Sequence, residues 1–384
     1  MTQREYPWHP DFIKIWYIDI SGDVVKGAYE NQPIVRAVIE EAHRNRYRVA
    51  VHATEKITSR LAVEAGADYL VHEIMDSMAD DSFVQLLKTR GVVVCPTLKV
   101  YDNYVAVFGQ HYSPGKLDLA KADPVQLGSL QELQYLPDTT IFKRYGAVAA
   151  ILAKRVVRED SVMGANLKKM ADAGVIIASG TDAGNPATLH ATSYFTELEA
   201  MHGAGLSNWQ ILTASTINGA KVLGREKEFG SIAKGKAADL LLLNANPAAD
   251  LGNLQNIARI YHRSTFFSPD SIIPADPVNV VQRQVNAYNA HDLEAFLGFY
   301  ADSVTLYNSP GKIILQGKEK MRQEYTFITK VPTLHVTIAG RIVLGNKVID
   351  HEKVFINNKS VANAAAIYTV ESGRITKVEF VDSK

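Results

Sequence analysis

Two histidines occupy equivalent places in the stretch from Arg48 to Ile74, RVAVHATEKITSRLAVEAGADYLVHEI. An apolar run, VAV, ends in His52, and a helix-length segment leads to a second run, YLV, that ends in His72. A separation of twenty residues predicts a strand, a helix and the next parallel strand joined by short loops. Both imidazoles then leave the same end of one sheet. That carboxyl end is where parallel α/β sheets and barrels hold ligands and metals. A lone histidine at a strand end is more often satisfied by a backbone carbonyl, but two in equivalent positions on successive strands point toward a divalent ion. Asp182 stands at the exit of the run VIIASGTDAGNP, and Lys14 lies inside FIKIWYIDI. All four fall at or near the ends of predicted parallel strands. Two neutral imidazoles and a carboxylate suit a zinc-type ion, which in a catalytic site keeps one position open for water. Such a water is acidified toward a pKa of ~7, and Asp182 is then a ligand, a general base, or both. Lys14 interrupts an apolar strand, and burying an ammonium is costly. Either it pairs with a carboxylate, Asp19 or one from another strand, or the amine is altered. A lysine carbamate is an anionic oxygen ligand able to bridge two ions.

These residues need a scaffold of alternating strands and helices. PIVRAVIEEAHRNR, with Pro33 placed for a first turn, predicts a helix that carries His43. DDSFVQLLKTRG predicts another, closed by Gly91, and GVVVCPTL the next buried strand. From Lys99 to Leu136 the pattern is irregular, with Tyr101, Tyr104, Tyr112 and Tyr135 among glycines and prolines. Long segments of this kind often form lids or substrate walls, which makes Tyr101 and Tyr104 candidate substrate contacts. A helix from Phe142 to about Ala173 feeds the strand that ends near Asp182. Five strands alternating with helices predict a parallel α/β architecture. Two helices follow around Gly203-Ala204-Gly205, then a glycine turn and a strand in GSIAKGKAADLLLLNANP. STFFSPDSIIPADP reads as a linker. Beyond it come an amphipathic helical pair, a hairpin about Pro310-Gly311, a further helix and four alternating strands, an α+β order.

The chain of 384 residues is too long for one ordinary core. Its 41 basic and 41 acidic residues cancel, so nothing draws it to nucleic acid or to an anionic membrane. The single cysteine, Cys95, excludes an internal disulfide framework and a cysteine-built zinc cluster, and its apolar surroundings read as core. No apolar run reaches the ~18 residues of a spanning helix, and the N-terminal segment lacks an export-signal core. With Met1 as the true start, the expected location is the cytoplasm.

GKAADLLLLNANP, GTDAGNPATLH, VAVHATE and VHE resemble the amidohydrolase superfamily, specifically its imidazolonepropionase-like branch with carboxylated-lysine relatives, over about Pro10 to Ile260. The resemblance implies a metal-dependent (β/α)8 barrel that hydrolyses C–N bonds in small cyclic amides or dipeptide-like substrates. By position, Lys14 matches the fourth-strand lysine, His52 the fifth-strand histidine, His72 the sixth-strand histidine and Asp182 the eighth-strand aspartate. His190 matches a histidine of the following loop, where it contacts or supports substrate. That superfamily carries a His-x-His pair on its first strand, and this chain has none. The resemblance therefore begins at the fourth strand, and the implied barrel is incomplete, with one divalent ion, zinc first, rather than two. Three readings stay open: a fragment of a longer gene, an open half-barrel completed by another chain, and a degenerate protein without hydrolase activity.

From about Val278 the chain resembles the SnoaL-like, steroid-isomerase-like group with a nuclear-transport-factor-like cone. The residues that carry this are VNAYNAHDLEAFLGFYADSVTLYNSPG, QGKEKMRQEY, RIVLGNKVIDHEKV and AAAIYTVESGRITKVEFV. The resemblance implies helices on a curved antiparallel sheet, with Tyr288, Tyr307, His335, Asp350 and His351 as candidates for the cavity. Members of that group include enzymes and modules that only bind or dimerise, so the fold leaves function undecided. The expected organisation is a partial amidohydrolase-like barrel with a remnant of a small β-sandwich over 1–263, a linker over 264–277, and a cone domain over 278–384. Alternating apolar positions from Leu334 to Val381 predict a two-fold homodimer through the open sheet face.

Overall fold

The computed structural model describes residues 9–18, 22–135, 140–272 and 275–382. The chain divides into two compact units. The first comprises Met1–Val105, Ala150–Ala183 and Ser193–Pro269. Its centre is a five-stranded sheet in sequential order, β1 (Phe12–Trp16), β2 (Arg48–His52), β3 (Tyr69–Val71), β4 (Val93–Cys95) and β5 (Ile176–Ile177), parallel throughout. The register sets Trp16 beside His52, His52 beside Val71 and Val71 beside Cys95. The carboxyl ends of four strands are thereby level.

Helices α1 (Val24–Arg44), α2 (Lys56–Ala65) and α3 (Asp81–Arg90) join these strands. Gly66 and Gly91 stop α2 and α3 in the left-handed region, at φ 108° and 67°, a conformation that glycine adopts without a Cβ clash. One sheet face packs Ile13, Val49, Val51, Leu70 and Val94 against helix residues such as Ile39, Leu61, Phe83 and Leu167. The other face gathers Ala50, Tyr69, Val93 and Ala178 into a smaller cluster. Burial on both faces is why these strands read as continuous apolar runs.

Three expectations need correction here. Helix α1 begins at Val24, capped by the Asp23 side chain, and carries Pro33 inside it rather than in its first turn. The Asn31 amide donates to the Gly27 carbonyl within that helix. Lys14 is exposed, because β1 pairs only with β2 among the described residues and nothing covers its face. Asp19, one suggested partner, lies outside the described residues. The segment from Lys99 is helical for much of its length, as α4 (Lys99–Phe108), α5 (Lys116–Lys121) and α6 (Pro124–Glu132). Asp123 caps α6, and Pro124 sits in its first turn, so a proline that reads as loop punctuation is a helix start.

α7 (Thr140–Asp172), α8 (Thr192–Gly203), α9 (Asn208–Ala214) and α10 (Ile217–Val222) complete the helices up to the three-stranded antiparallel sheet β6 (Leu240–Leu243), β7 (Ile257–His262) and β8 (Thr265–Phe267). β8 falls in the stretch expected to be linker, held there by pairing with β7.

The second unit comprises Ala106–Ala149, Gly184–Thr192 and Asp270–Lys384. Helices α11 (Pro277–Asn289) and α12 (Leu293–Leu297) precede β9 (Tyr300–Asn308) and β10 (Lys312–Gln316). α13 (Lys318–Glu324) and α14 (Phe327–Lys330) lead to β11 (His335–Leu344), β12 (Lys347–Ile356), β13 (Lys359–Glu371) and β14 (Arg374–Asp382). The sheet order is β10-β9-β14-β13-β12-β11. It is antiparallel except for the parallel β14–β9 pair, so the expected all-antiparallel sheet is mixed.

In this unit α6 lies against α11. Buried Asn286 donates to the Pro124 carbonyl at 2.7 Å, and buried Gln131 donates to the Asn286 carbonyl at 3.0 Å. Gly128 leaves no room for a Cβ, which would lie 2.6 Å from Gln282 Nε2 and 2.9 Å from Asn286 Oδ1. Part of the segment expected as a substrate wall is thus built into the same body as the C-terminal sheet. Among the described residues no helix is long and apolar enough to cross a membrane.

Candidate active site

At the level carboxyl ends of the first unit's sheet, the rings of His52 and His72 lie 4.1 Å apart between centroids. His52 is the last residue of β2, and His72 follows β3 with its amide bonded to the Cys95 carbonyl at 2.9 Å. His72 Nε2 stands 3.9 Å from Asp182 Oδ2. On its other side, His72 Nδ1 lies 2.6 Å from Thr97 Oγ1. With Nδ1–H donating to that hydroxyl, Nε2 presents its lone pair, an arrangement typical of imidazoles that serve as ligands. Nε2 is buried and has no hydrogen-bond partner.

Burial lowers the pKa of His52 to about 3, helped by His72 and Lys14. Burial also lowers His72 to about 4, with Lys14 assisting. Both rings are therefore neutral at physiological pH. His72, Thr97 and Asp182 hold φ of 78°, 49° and 55°, left-handed values that cost non-glycine residues energy and collect at functional sites.

The tertiary structure brings His52, His72 and Asp182 together and puts Lys14 within electrostatic reach of both histidines. Tyr104 lies near Asp182, and burial chiefly, then that carboxylate, raises its phenol. Tyr101 is raised by burial and by Glu159, away from the histidine pair. His190 belongs to the second unit and is exposed. There it lines a cleft of about 380 Å³ with Val107, Phe108, Leu130, Pro186 and Leu189.

Three features near the pair escaped sequence reasoning. Thr97 sits two residues beyond β4, where only the register reveals its reach to His72. Glu73 is buried, and burial pushes its carboxyl up to about 8. Gly180 packs so tightly against Cys95 Sγ that no Cβ fits, and burial pushes that thiol up to about 12.

The C-terminal candidates scatter. Asp350 is fully buried in a two-point ion pair, Arg341 Nε and Nη2 each 2.6 Å from its oxygens, while Arg341 Nη1 donates to Gln282 Oε1 at 2.8 Å. His335 is buried between the rings of Tyr135 and Phe355, at 3.5 and 4.9 Å. His351 is exposed, 2.7 Å from Asn363 Oδ1. Tyr307 faces Lys377, whose Nζ lies 4.6 Å from its ring centroid. Only Tyr288 joins a polar interior, together with Tyr300, Tyr325, Tyr368 and Glu352, none of which was singled out from the sequence. Strand alternation in KVIDHEKVFI carried that signal, since Val348, Asp350, Glu352 and Val354 share one face.

A divalent ion, implied by the resemblance, must be tested against these donors. The orphaned Nε2 and two neutral imidazoles beside a carboxylate have the right chemistry. Among the described residues, however, no group of three or more His, Cys, Asp or Glu side chains is close enough to hold an ion unaided.

Comparison with known proteins agrees with this geometry. The model of the amidohydrolase family matches residues 25–268, and that of the SnoaL-like domain matches 281–378. An ochratoxinase from Aspergillus niger is 26% identical over 232 residues, 59% of this chain and 39% of that protein. An imidazolonepropionase from Symbiobacterium thermophilum is 29% identical over 195 residues, 47% of this chain and 45% of that one. The chain thus spans less than half the length of these curated relatives. A solved Xaa-Pro dipeptidase with methionine bound in its active site matches 69% of this chain and 56% of its own at a TM-score of 0.50 and 24% identity, a likeness of fold. With a family model covering most of the chain and the histidine pair at the strand ends, the protein belongs to the amidohydrolase family and carries a SnoaL-like domain at its C-terminal end.

Proposed function

We propose that the chain supplies part of a metal-dependent hydrolase site that cleaves C–N bonds of a small amide or cyclic amide. The observation that carries this reading is the buried, unpartnered Nε2 of His72 beside His52 and Asp182. His52, His72 and Asp182 would hold the ion, zinc by donor type, with Lys14 the further candidate. When bound, such an ion lowers the pKa of a coordinated water and polarises a carbonyl. The chain's own part is to keep both imidazoles neutral by burial, to fix the His72 ring through Thr97, and to offer Asp182 as acceptor for a proton leaving water. Tyr104 is the proposed substrate contact in this unit. The five-stranded parallel sheet supports reading this unit as part of a (β/α)8 barrel.

The test is metal content of the purified full chain after dialysis, measured by inductively coupled plasma mass spectrometry. The parent is expected to retain a divalent ion, and His52→Ala and His72→Ala to lose it with unchanged far-UV circular dichroism. A metal-free, folded parent defeats the reading.

A second reading, a catalytically silent scaffold for the C-terminal domain, draws on the missing third ligand among the described residues. We also infer self-association through the C-terminal sheet, where Ile342, Leu344, Val361 and Val381 are exposed. Light scattering on the full chain is expected to give twice the mass of 42.3 kDa, and a monomer at micromolar concentration rules it out.

A further inference from the structure

The parallel sheet of the first unit has a cleft at its amino end, opposite the histidine pair. The first residues of four strands line it: Arg48 of β2, Tyr69 of β3, Val93 of β4 and Ile176 of β5. Tyr69, Val93 and Ile176 are level in the register. The cleft has a volume of about 460 Å³, within the range of small-molecule sites. Four residue steps of β2 separate Arg48 from His52, about 13 Å of extended strand. A small ligand at one end therefore does not reach the other.

The charges along this cleft do not balance. Arg48, Arg90 and Lys221 line it together with one carboxylate, Asp68. Asp68 Oδ2 is already engaged, accepting from the Val49 amide at 2.7 Å and lying 2.8 Å from His43 Nε2. Among the described residues that histidine contact is the one ion pair formed by the cleft's own charged groups. Helix ends account for two of the cations, since Arg90 lies in the last turn of α3 and Lys221 in the last turn of α10, where exposed carbonyls favour positive charge. Arg48 opens a strand instead, and its half-buried guanidinium is held from three sides. Nη1 donates to the Lys221 carbonyl at 2.9 Å. The guanidinium carbon lies 5.2 Å from the ring centroid of Tyr69, a buried side chain whose hydroxyl donates to the Val222 carbonyl. A Cβ on Gly224, whose φ is 66°, would lie 2.8 Å from Nη2. All three neighbours are neutral, so a positioned guanidinium is left without a counter-ion.

We propose that this cleft binds a small phosphate monoester, with the phosphate against Arg48, Arg90 and Lys221 and the organic group against Val63, Val93 and Ile176. A dianion matches the surplus of positive charge. Its three terminal oxygens give each cation an acceptor, which the two oxygens of a carboxylate do not. A guanidinium suits phosphate because its N–H groups lie in a fixed plane and donate in pairs, and one of the five is used by the Lys221 carbonyl. Because Arg48 is already held in place, less side-chain freedom is lost on binding. The apolar wall separates an ester from free phosphate, since only the ester has a group to bury there.

The probe is phenyl phosphate, titrated into the full chain by isothermal calorimetry at low salt and about pH 7.5, where the phosphate is a dianion. Inorganic phosphate and phenol are the comparisons. The expected result is saturable binding of phenyl phosphate, binding of inorganic phosphate weaker by about tenfold, the value of burying roughly 55 Å² of ring surface, and no saturable binding of phenol. Arg48→Met should weaken phenyl phosphate by about tenfold or more, the value of a charged hydrogen bond, and Arg48→Lys by less, since the charge stays and the planar fork is lost. Arg90 is exposed, so Arg90→Gln keeps the fold while weakening the ester and flattening the dependence of its affinity on salt. His52→Ala, at the other end of the sheet, should leave binding unchanged, which separates this site from phosphate captured by an ion at the histidine pair. The proposal is overturned by no saturable binding of phenyl phosphate, by equal affinity for inorganic phosphate, or by parent affinity in folded Arg48→Met and Arg90→Gln proteins. Loss of binding in His52→Ala with retention in Arg48→Met also overturns it.

Discussion

Replacing Asp350 by alanine is expected to lower the stability of the second unit by about 3–5 kcal/mol. Asp350 has no exposed surface, and its two oxygens take both parallel N–H bonds of Arg341. Removing the carboxylate leaves a guanidinium largely buried, with Gln282 its remaining hydrogen-bond partner among the described residues, and a buried charge stripped of its partner costs far more than the pair contributes. Arg341 also bridges β11 to α11 through Gln282, so the loss reaches the helix that carries the contact with α6. Urea titration followed by tyrosine fluorescence checks this, and an unchanged midpoint refutes it. The double change Asp350→Leu with Arg341→Met should recover most of the loss, because apolar groups of similar volume avoid the desolvation cost altogether.

The second large effect concerns pH. Glu197 of α8 is buried, its two oxygens accepting from the Leu98 and Lys99 amides at 2.8 and 3.1 Å. Burial nevertheless dominates and raises its carboxyl to about 7 from an ordinary 4.5. The sign follows from proton counts. Between about 4.5 and 7 the folded state keeps a proton that the unfolded state has released, so unfolding free energy falls as pH rises through that window. At about 1.4 kcal/mol per pH unit, the total is about 3 kcal/mol. Glu197→Gln should remove this slope in a series of melts from pH 4.5 to 7.5, at a cost of about 1 kcal/mol for one mismatched amide bond. Parallel pH profiles for parent and variant contradict the assignment.

Much of the first unit was legible in its residues. Apolar runs ending in His52 and His72, separated by one helix, admit little besides a parallel β-α-β unit, because a strand buried on both faces leaves no alternation. Pro33, Pro124 and the 99–132 segment were less legible. A proline is compatible with a loop, a helix start or, with local compensation, a helix interior, and only the surrounding hydrogen bonds choose. Asp123, whose side chain accepts from the Val125 and Gln126 amides, makes that choice for Pro124.

By itself the sequence determined the pairing of two imidazoles at one sheet end, the order of strands and helices, the change of character after Pro277, and the family. These rest on local periodicity and on motifs, which contact within a few residues and survive any rearrangement of the rest. The tertiary structure alone decided that Lys14 is exposed, since burial of an edge strand depends on neighbours that pattern cannot supply. It alone joined Thr97 to His72 across a sequence gap of 25 residues. It also separated Asp350, locked to Arg341, from Glu352, which accepts a hydrogen bond from Tyr368. The two carboxylates share one strand face and differ in sequence only by position, so their roles come from which partners the fold brings within hydrogen-bond reach.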